Sequence, residues 1–279
     1  MASSLKRLKG LRLGVVGHVE WADFVRVPHL PRRGEILHVT GHWEEPAGGG
    51  AMTAIQLAKL AGHATLFTAL GDDELGHRSE RELRGEGLDV RAAFRSRHPQ
   101  RRVVVHIDDK AERTITVIGD RMGARRRDPL GWDELAEFDA VYFTAGDVGA
   151  LRAARKARIL TATARALETL KGSGVRLDAL VHSGKDAGER FKKGELDPEP
   201  DLVVTTGSGK GGMWRRFNGT HGRYPPVEPP GRVVDTYGAG DVFAGGFTAG
   251  LGAGLPLEDA LELGARCGAW RAAGKDLRS

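Results

Sequence analysis

Residues 233–247, "VVDTYGAGDVFAGGF", have the types and spacing of an anion-binding turn. A predicted strand ends at Val234, glycines allow a tight turn, and the residues through Leu251 can form a helix. Amides at the start of that helix would point into one concavity, with the positive end of the helix dipole behind them. Asp241 lies in the first helical turn. It can cap the helix, or accept a proton from a hydroxyl that attacks phosphorus, and the two roles can coexist.

A second glycine-rich stretch, "DLVVTTGSGKGGMWRR" at 201–216, follows another predicted strand. Its amides could approach phosphate groups, and Lys210 could add a charge-assisted contact. Hairpins also use glycine for geometry alone. The stretch lacks the Gly-x-x-x-x-Gly-Lys-Ser spacing of a Walker A loop and does not open a helix.

The elements that must position these turns alternate along the chain. Short β-branched runs are separated by amphipathic stretches, as in 11–17, 51–62, 64–70 and 74–87, and the order resumes with 139–146, 165–174, 177–183 and 201–208 before a helical half from 241 onward. Strands separated by helices predict a mainly parallel sheet covered on both faces.

Two segments break this alternation. Residues 33–50 are extended and partly polar, and 101–120 predict a β-hairpin with its turn in "DDKAE". We expect both to form a small β lobe at one edge of the main sheet. The lobe is either a lid over the site or a plain extension of the sheet.

Composition restricts the possible functions. The chain has 279 residues, enough for one large domain, and 40% of them are hydrophobic and 28% charged. The sequence contains no apolar window of membrane-spanning length and no recognisable signal peptide, so we expect a cytoplasmic protein without membrane contact. Its single cysteine, Cys267, excludes an internal disulfide and a cysteine-cluster metal site.

The formal net charge of +5 raises the question of nucleic-acid binding. The basic clusters at 123–129 and 191–195 are short and lack interleaved aromatic residues. They therefore indicate solvated surface rather than a nucleic-acid interface. A mildly basic surface would also suit an anionic small substrate.

The stretch "DTYGAGD" followed by "VFAGGFTAGL" resembles the C-terminal signature of the ribokinase and phosphofructokinase-B family of carbohydrate kinases. The resemblance implies that Asp241 is the catalytic base, and that the amides of Gly238, Ala239 and Gly240 stabilise charge on the transferring phosphoryl group. Several members bind a monovalent cation through the first Asp of the motif. Asp235 is therefore a candidate ligand for K⁺, or else a cap of the strand end.

A second match, "AGGGAMTAIQLAKLAGHATLFTALGDDELG" at 47–76, resembles the N-terminal signature of the same family. In the family a Gly-Gly turn and an Asn at the start of a helix hold the sugar. By resemblance Gly48 and Gly49 bind substrate, while Met52 takes the place of the Asn and Thr53 offers a neighbouring hydroxyl. Methionine cannot make the paired hydrogen bonds of an amide.

The entry segment at 17–37 is similar to the first strand and lid entry of the family, where an Asp binds sugar hydroxyls. Asp23 is the nearest equivalent. The spacing from Gly17 is one residue longer than the family pattern, so Glu20 is the rival candidate for this contact.

The nucleotide side follows from the same resemblance. The stretch at 201–216 looks like the strand-turn-strand beside ATP, which implies nucleotide contacts from Thr206 (or Thr205), Gly207 and Gly209. A family Asn-x-x-Glu pattern precedes it, and "VHSGKDAGER" at 181–190 stands in its place. That alignment assigns Ser183 and Asp186 to the nucleotide, with Asp186 contacting Mg²⁺ through water.

The resemblance spans nearly the whole chain and implies one α/β domain over 1–279. Its fold would be a ribokinase-like three-layer sandwich, with a mainly parallel central sheet and a discontinuous β lid from about 20–46 and 98–120. The implied activity is ATP-dependent phosphorylation of a hydroxyl on a sugar or sugar derivative. Two alternatives stay open, a nucleoside kinase and a non-catalytic ligand-binding member. Relatives often pair through the lid, so we expect a homodimer formed there.

Overall fold

Two β-sheets organise the chain in the computed structural model, which describes residues 5–277. The strands are β1 (Leu13–Val16), β2 (Glu20–Arg26), β3 (Gly41–Ala47), β4 (Ala64–Gly71), β5 (Leu88–Arg95), β6 (Arg102–Ile107), β7 (Arg113–Ile118), β8 (Ala140–Phe143), β9 (Ile159–Thr163), β10 (Ala179–Ser183), β11 (Leu202–Thr206), β12 (Gly212–Arg216) and β13 (His221–Tyr224). The helices are α1 (Gly49–Ala61), α2 (Glu74–Gly85), α3 (Val148–Ala154), α4 (Leu167–Leu170), α5 (Ala239–Gly252) and α6 (Leu257–Ala272).

The main sheet has nine strands in the order β13-β12-β11-β10-β9-β8-β1-β4-β5. Its pairings are parallel from β11 to β5, and β12 and β13 add an antiparallel edge. The apolar strands β1, β4 and β8 are buried along their whole length, as the predicted two-sided covering requires. Helices α1, α5 and α6 share one hydrophobic core with the sheet, and α3 belongs to a second core. This arrangement confirms the predicted three-layer α/β class.

The helix expected over 165–174 is much shorter in the structure. A 3₁₀ turn at Ala164–Ala166 leads into the four residues of α4, and the chain then leaves the helix. The helix ends at Leu170, because Lys171 has an extended backbone with ψ 133°, and the positive φ of Gly172 and Gly174 continues the turn.

The smaller sheet, which we call the lid sheet, has the order β3-β2-β6-β7. The predicted hairpin is confirmed, because β6 pairs antiparallel with β7 and Asp108 accepts hydrogen bonds from two amides in the turn. The face of the sheet that carries Phe24, Val103 and Val105 is buried. Strand β7 at the edge is exposed along its whole length.

The carboxyl ends of β1, β8, β9, β10 and β11 form a row along one edge of the main sheet. In open α/β sheets this edge is where ligands bind. The lid sheet contacts the loop before α5 through Phe24, whose ring packs edge-on against Tyr237 at 5.0 Å. Among residues 5–277, no helix is long and apolar enough to cross a membrane.

Candidate active site

The site centres on Asp241, which lies in the first turn of α5 and faces the start of α1. A methyl group placed on Gly49 would lie 2.8 Å from Asp241 Oδ1, 3.1 Å from Thr144 Oγ1 and 3.4 Å from His18 Cε1. Three polar side chains from three parts of the chain therefore surround one space that only a glycine leaves open. His18 follows β1 and Thr144 follows β8, so both stand at the carboxyl edge of the sheet.

The turn at 238–241 presents amides to this space. Gly238 has φ 71°, a left-handed conformation that favours glycine, and it precedes the first residue of α5. In the described chain, the amides of Gly238, Gly240 and Asp241 donate to no protein acceptor. The Ala239 amide makes one long contact, 3.4 Å, with the Thr236 carbonyl. Free amides at a helix start are suited to an oxyanion.

The surroundings of Asp241 favour its protonated form. Burial raises the pKa of this carboxyl to about 6, and the negative charges of Glu189 and Glu20 act in the same direction, while Arg165 and Arg113 oppose them. A carboxylate with a pKa near 6 is ionised at neutral pH and is a stronger base than an ordinary aspartate. The geometry therefore supports proton acceptance at this position.

His18 and Thr144 carry buried polar atoms without a partner. His18 Nδ1 and Thr144 Oγ1 accept or donate no hydrogen bond within residues 5–277. Burial lowers the pKa of His18 well below its usual value, and the charges of Arg121, Arg101 and Arg165 lower it further, so the ring is neutral. Unsatisfied buried groups are costly, and both of these face the space beside Asp241.

The structure gives Met52 and Thr53 roles that differ from the predicted substrate contacts. Met52 packs on the turn, because a Cβ added to Gly238 would lie 2.8 Å from Met52 Cε. Thr53 is fully buried, and its hydroxyl donates to the Asp241 backbone carbonyl at 3.1 Å. Both side chains pack against the start of α5, and their roles as substrate contacts stay predictions.

Strand alternation separates Glu20 from Asp23. Glu20 lies on the buried face of the lid sheet, where Oε1 accepts from Tyr237 Oη at 3.1 Å and Oε2 from Arg101 Nε at 2.9 Å. Asp23 lies on the opposite face, paired with Arg102 at 3.0 Å. Of the two candidates for the substrate contact, the structure therefore favours Glu20. The Asp23 carboxylate points away from Asp241, and that of Glu20 points toward it.

Gly48 and Gly49 stand where the sequence predicts them, at the start of α1 facing the site. The Gly48 amide donates to Tyr237 Oη at 3.2 Å, and that hydroxyl also binds Glu20. The lid sheet, the glycine turn and the loop before α5 therefore meet at one tyrosine hydroxyl.

On the opposite side of Asp241 the structure adds a residue that the sequence reasoning missed. Arg165 binds Asp186 Oδ2 at 2.7 Å and also pairs with Glu189. Asp186 and Glu189 have the spacing of the family Asn-x-x-Glu pattern, with Asp in place of Asn. Aligning the pattern in this register would have identified Glu189 from the sequence. Ser183 is not free, because its Oγ accepts from the amides of Lys185 and Asp186.

The turn after β11 lies at the same edge of the sheet. Thr206 Oγ1 donates to the His182 carbonyl at 3.4 Å, and the Gly207 amide donates to the Gly211 carbonyl at 2.7 Å. Both groups stabilise the turn. Gly209 stands in open space, so of the three predicted nucleotide contacts here it has the most accessible backbone.

Asp235, the predicted monovalent-cation ligand, has protein partners on both carboxylate oxygens. Its carboxylate is buried and binds Arg271 Nη1 at 3.3 Å and the Tyr237 amide at 2.9 Å. The residue predicted to bind K⁺ therefore has a protein cation, Arg271, as a direct partner.

One guanidinium near the site makes no direct ion pair with the described residues. Arg121, which follows the lid hairpin, donates only to the Arg165 carbonyl at 3.4 Å and has no carboxylate partner among the described residues. Desolvation and the charges of Arg101 and Arg165 lower the pKa of Arg121, while the charges of Glu20 and Asp241 raise it. A guanidinium that makes no direct ion pair and is open to solvent is available to bind an anion.

Comparison with known proteins agrees with this arrangement. The model of the pfkB family carbohydrate kinases matches residues 11–187 and 152–278, which together cover almost the whole chain. The chain belongs to the pfkB family of carbohydrate kinases. This kinase is a phosphotransferase with an alcohol group as acceptor, and ATP use is implied by the family.

The relatives of this kinase are named for different substrates. It is 28% identical over 274 residues to a fructokinase from Salmonella typhimurium, covering 80% of this chain and 84% of the relative. It is 27% identical over 292 residues to an ATP-dependent ribose-1-phosphate kinase from Halopiger xanaduensis, covering 96% and 94%. The fold matches a ribokinase structure from Thermotoga maritima with a TM-score of 0.72 and 21% identity, over 94% and 93% of the two chains.

The raised pKa of Asp241 predicts a stability effect with a definite sign. The folded state binds an extra proton between the unfolded value of 3.8 and about 6, so the ionised carboxylate costs stability above that window. Asp241→Asn should therefore stabilise the fold by about 1–3 kcal/mol near pH 8, and this gain should disappear as the pH falls toward about 4. Thermal unfolding at both pH values measures it.

Asp259→Asn is the matched control, since Asp259 is an exposed acid in the first turn of α6. It should give no such gain, because an exposed acid at a helix start is favourable. An Asp241→Asn protein that is destabilised equally at both pH values would show that the carboxylate makes stabilising contacts instead.

Proposed function

We propose that this kinase transfers the γ-phosphoryl group of ATP to a hydroxyl of a sugar derivative, with Asp241 as general base. The observation that carries the proposal is the Asp241 carboxylate, of raised pKa, beside the unpaired amides of the 238–241 turn. A base and an oxyanion site at one helix start supply both needs of phosphoryl transfer to an alcohol.

The acceptor would lie between β1, β8 and the lid sheet, because Asp241, Thr144 and His18 converge beside Gly49 there. Its reacting hydroxyl would donate a proton to Asp241 as the oxygen forms a bond to phosphorus and the bond to the β-phosphate oxygen breaks. Glu20, rather than Asp23, would accept from a further hydroxyl, since a carboxylate can accept more bonds than the two it now has.

The nucleotide would lie toward β10 and β11. Gly209 and the Gly207 turn would lie near it, and Arg165 would hold Asp186 and Glu189 in place. Magnesium, when bound, neutralises phosphate charge, and the carboxylates of Asp186 and Glu189 are the oxygen donors that suit it through water. Ser183 shapes this loop by capping it.

Turnover against a panel of sugars, sugar phosphates, sugar acids and nucleosides tests the proposal. One class should support ATP consumption, and Asp241→Asn should lower kcat at least about 10³-fold while ATP binding by calorimetry persists. The rate of the native enzyme should fall about tenfold per pH unit below about 6, where the base is protonated. Substrate-dependent turnover that survives in Asp241→Asn would overturn the assignment of the base.

Within sugar derivatives, Arg121 favours an acceptor that carries a phosphate or carboxylate group. The cleft holds this guanidinium without a carboxylate partner, and a relative that aligns over 96% of the chain is named for a sugar phosphate. A nucleoside, which has no such group, is the alternative acceptor.

Replacing Arg121 tests this choice. Arg121→Gln should raise KM for the acidic acceptor about 10–100-fold with a smaller change in kcat, because a lost charge-assisted contact weakens binding. Arg127→Gln is the control, since Arg127 is exposed and makes no ion pair within residues 5–277. A fall in kcat with unchanged KM would instead place Arg121 on the transferring phosphoryl group.

We also propose a homodimer formed through the lid sheet. Of the apolar lid residues, Val103 and Val105 are buried, but their cross-strand neighbours Val117 and Ile115 on β7 are exposed. An exposed edge strand with apolar side chains is a surface that another copy can cover. A cytoplasmic location remains a prediction from the sequence, to be tested by cell fractionation.

Light scattering during gel filtration tests the dimer. The native protein should have twice the 30.0 kDa mass of one chain, and Val117→Asp should give the single-chain mass because it places a charge in the interface. Phe217→Asp is the control, since Phe217 is also an exposed apolar residue but lies at the opposite edge of the main sheet. A native protein of single-chain mass would refute the dimer.

A further inference from the structure

The loop before the 238–241 turn is held by side-chain cations from two directions. Arg271, from the last turn of α6, binds the buried Asp235 carboxylate. Arg26, from the lid strand β2, donates to the Val234 carbonyl at 3.3 Å, and Lys275 donates to the Pro230 carbonyl at 2.9 Å. Arg113 from the lid donates to Thr236 Oγ1 at 2.9 Å.

The oxygens beside Asp235 that could coordinate a potassium ion already accept hydrogen bonds from the protein. A bound K⁺ exchanges its hydration shell for a set of protein oxygens, mostly carbonyls. Here both Asp235 oxygens have donors, and the Ala272 carbonyl beside them accepts from the amides of Val234 and Asp235. The Trp270 carbonyl accepts from the amides of Ala273 and Lys275. The residues present do not fit a monovalent-cation site.

The positive charge of Arg271 also disfavours a bound potassium ion beside Asp235. The Arg271 guanidinium is a permanent cation 3.3 Å from the carboxylate, and a second cation there would be repelled. Arg271 therefore neutralises the buried Asp235 carboxylate by direct contact.

We propose that Arg271 is a built-in cation that replaces the monovalent ion used by several relatives, so that this kinase works without potassium. Arg271 is a positioning residue. It holds Asp235, Asp235 holds the Tyr237 amide, and Gly238 of the oxyanion turn follows directly. The inference rests on the proposed kinase function for its kinetic measurement, and a thermal measurement tests it without turnover.

The thermal measurement compares the full chain in potassium chloride and in choline chloride at equal ionic strength. Native protein should unfold at the same temperature in both salts, because an ion that does not bind cannot stabilise it. A midpoint clearly higher in potassium would overturn the inference and leave the proposed function untouched. If no acceptor supports turnover but the unfolding temperature is the same in both salts, the proposed function is contradicted and the inference about potassium is not.

In the kinetic measurement, native turnover should change by less than about twofold between the two salts. The turnover of Arg271→Ala in choline chloride should be at least about tenfold lower than that of the native enzyme. Potassium or methylguanidinium should restore part of this turnover by placing a cation beside Asp235. Arg271→Lys should keep turnover that does not respond to potassium. Arg266→Ala is the control, since Arg266 lies on the same helix and pairs with Glu262 at the surface.

Several outcomes would overturn the proposal. One is native turnover stimulated several-fold by potassium. Another is an Arg271→Ala enzyme with native turnover in choline chloride. A third is an Arg271→Ala enzyme that folds but is restored by neither cation, because the turn would then need the packing of Arg271 rather than its charge. If Arg271→Ala does not fold, potassium-stimulated turnover of Arg271→Lys would overturn it.

Discussion

The active site depends on the close approach of α1 to the end of β1, which glycine alone permits. A Cβ on Gly50 would lie 2.5 Å from the His18 carbonyl and 2.7 Å from the Gly17 carbonyl carbon, so backbone meets backbone there. The same approach brings Gly49 against Asp241, almost two hundred residues later in the chain. The N-terminal and C-terminal signatures become one site only because these glycines have no side chains.

Around this contact, the kinase balances charge by pairing acids and arginines on each side of the base. Glu20 pairs with Arg101 on the lid side, and Asp186 and Glu189 share Arg165 on the nucleotide side. Asp241 is left without a direct ion-pair partner within residues 5–277, and its raised pKa follows from burial between these pairs. An ionised carboxylate of raised pKa destabilises the fold at neutral pH, a cost that the proposed role as general base would explain.

The secondary structure and the oxyanion turn were largely predictable because their determinants are local. Glycine spacing and the helix start at 238–241 lie in consecutive residues, and the alternation of apolar runs reports a two-sided sheet. The prediction for 165–174 was wrong in length. The side-chain period indicated a helix over the whole stretch, but the backbone becomes extended at Lys171.

The sequence by itself determined the family, the α/β class and the position of Asp241 with its glycine turn, because each is expressed in contiguous residues. Only the tertiary structure decided that Glu20 rather than Asp23 faces the site, that Thr53 supports the Asp241 carbonyl, and that Arg271 occupies the place beside Asp235. The physical reason is that the sequence does not specify the direction in which each side chain points. Which face a strand or helix residue presents, and which charge meets it, depends on register and on partners far away in the chain.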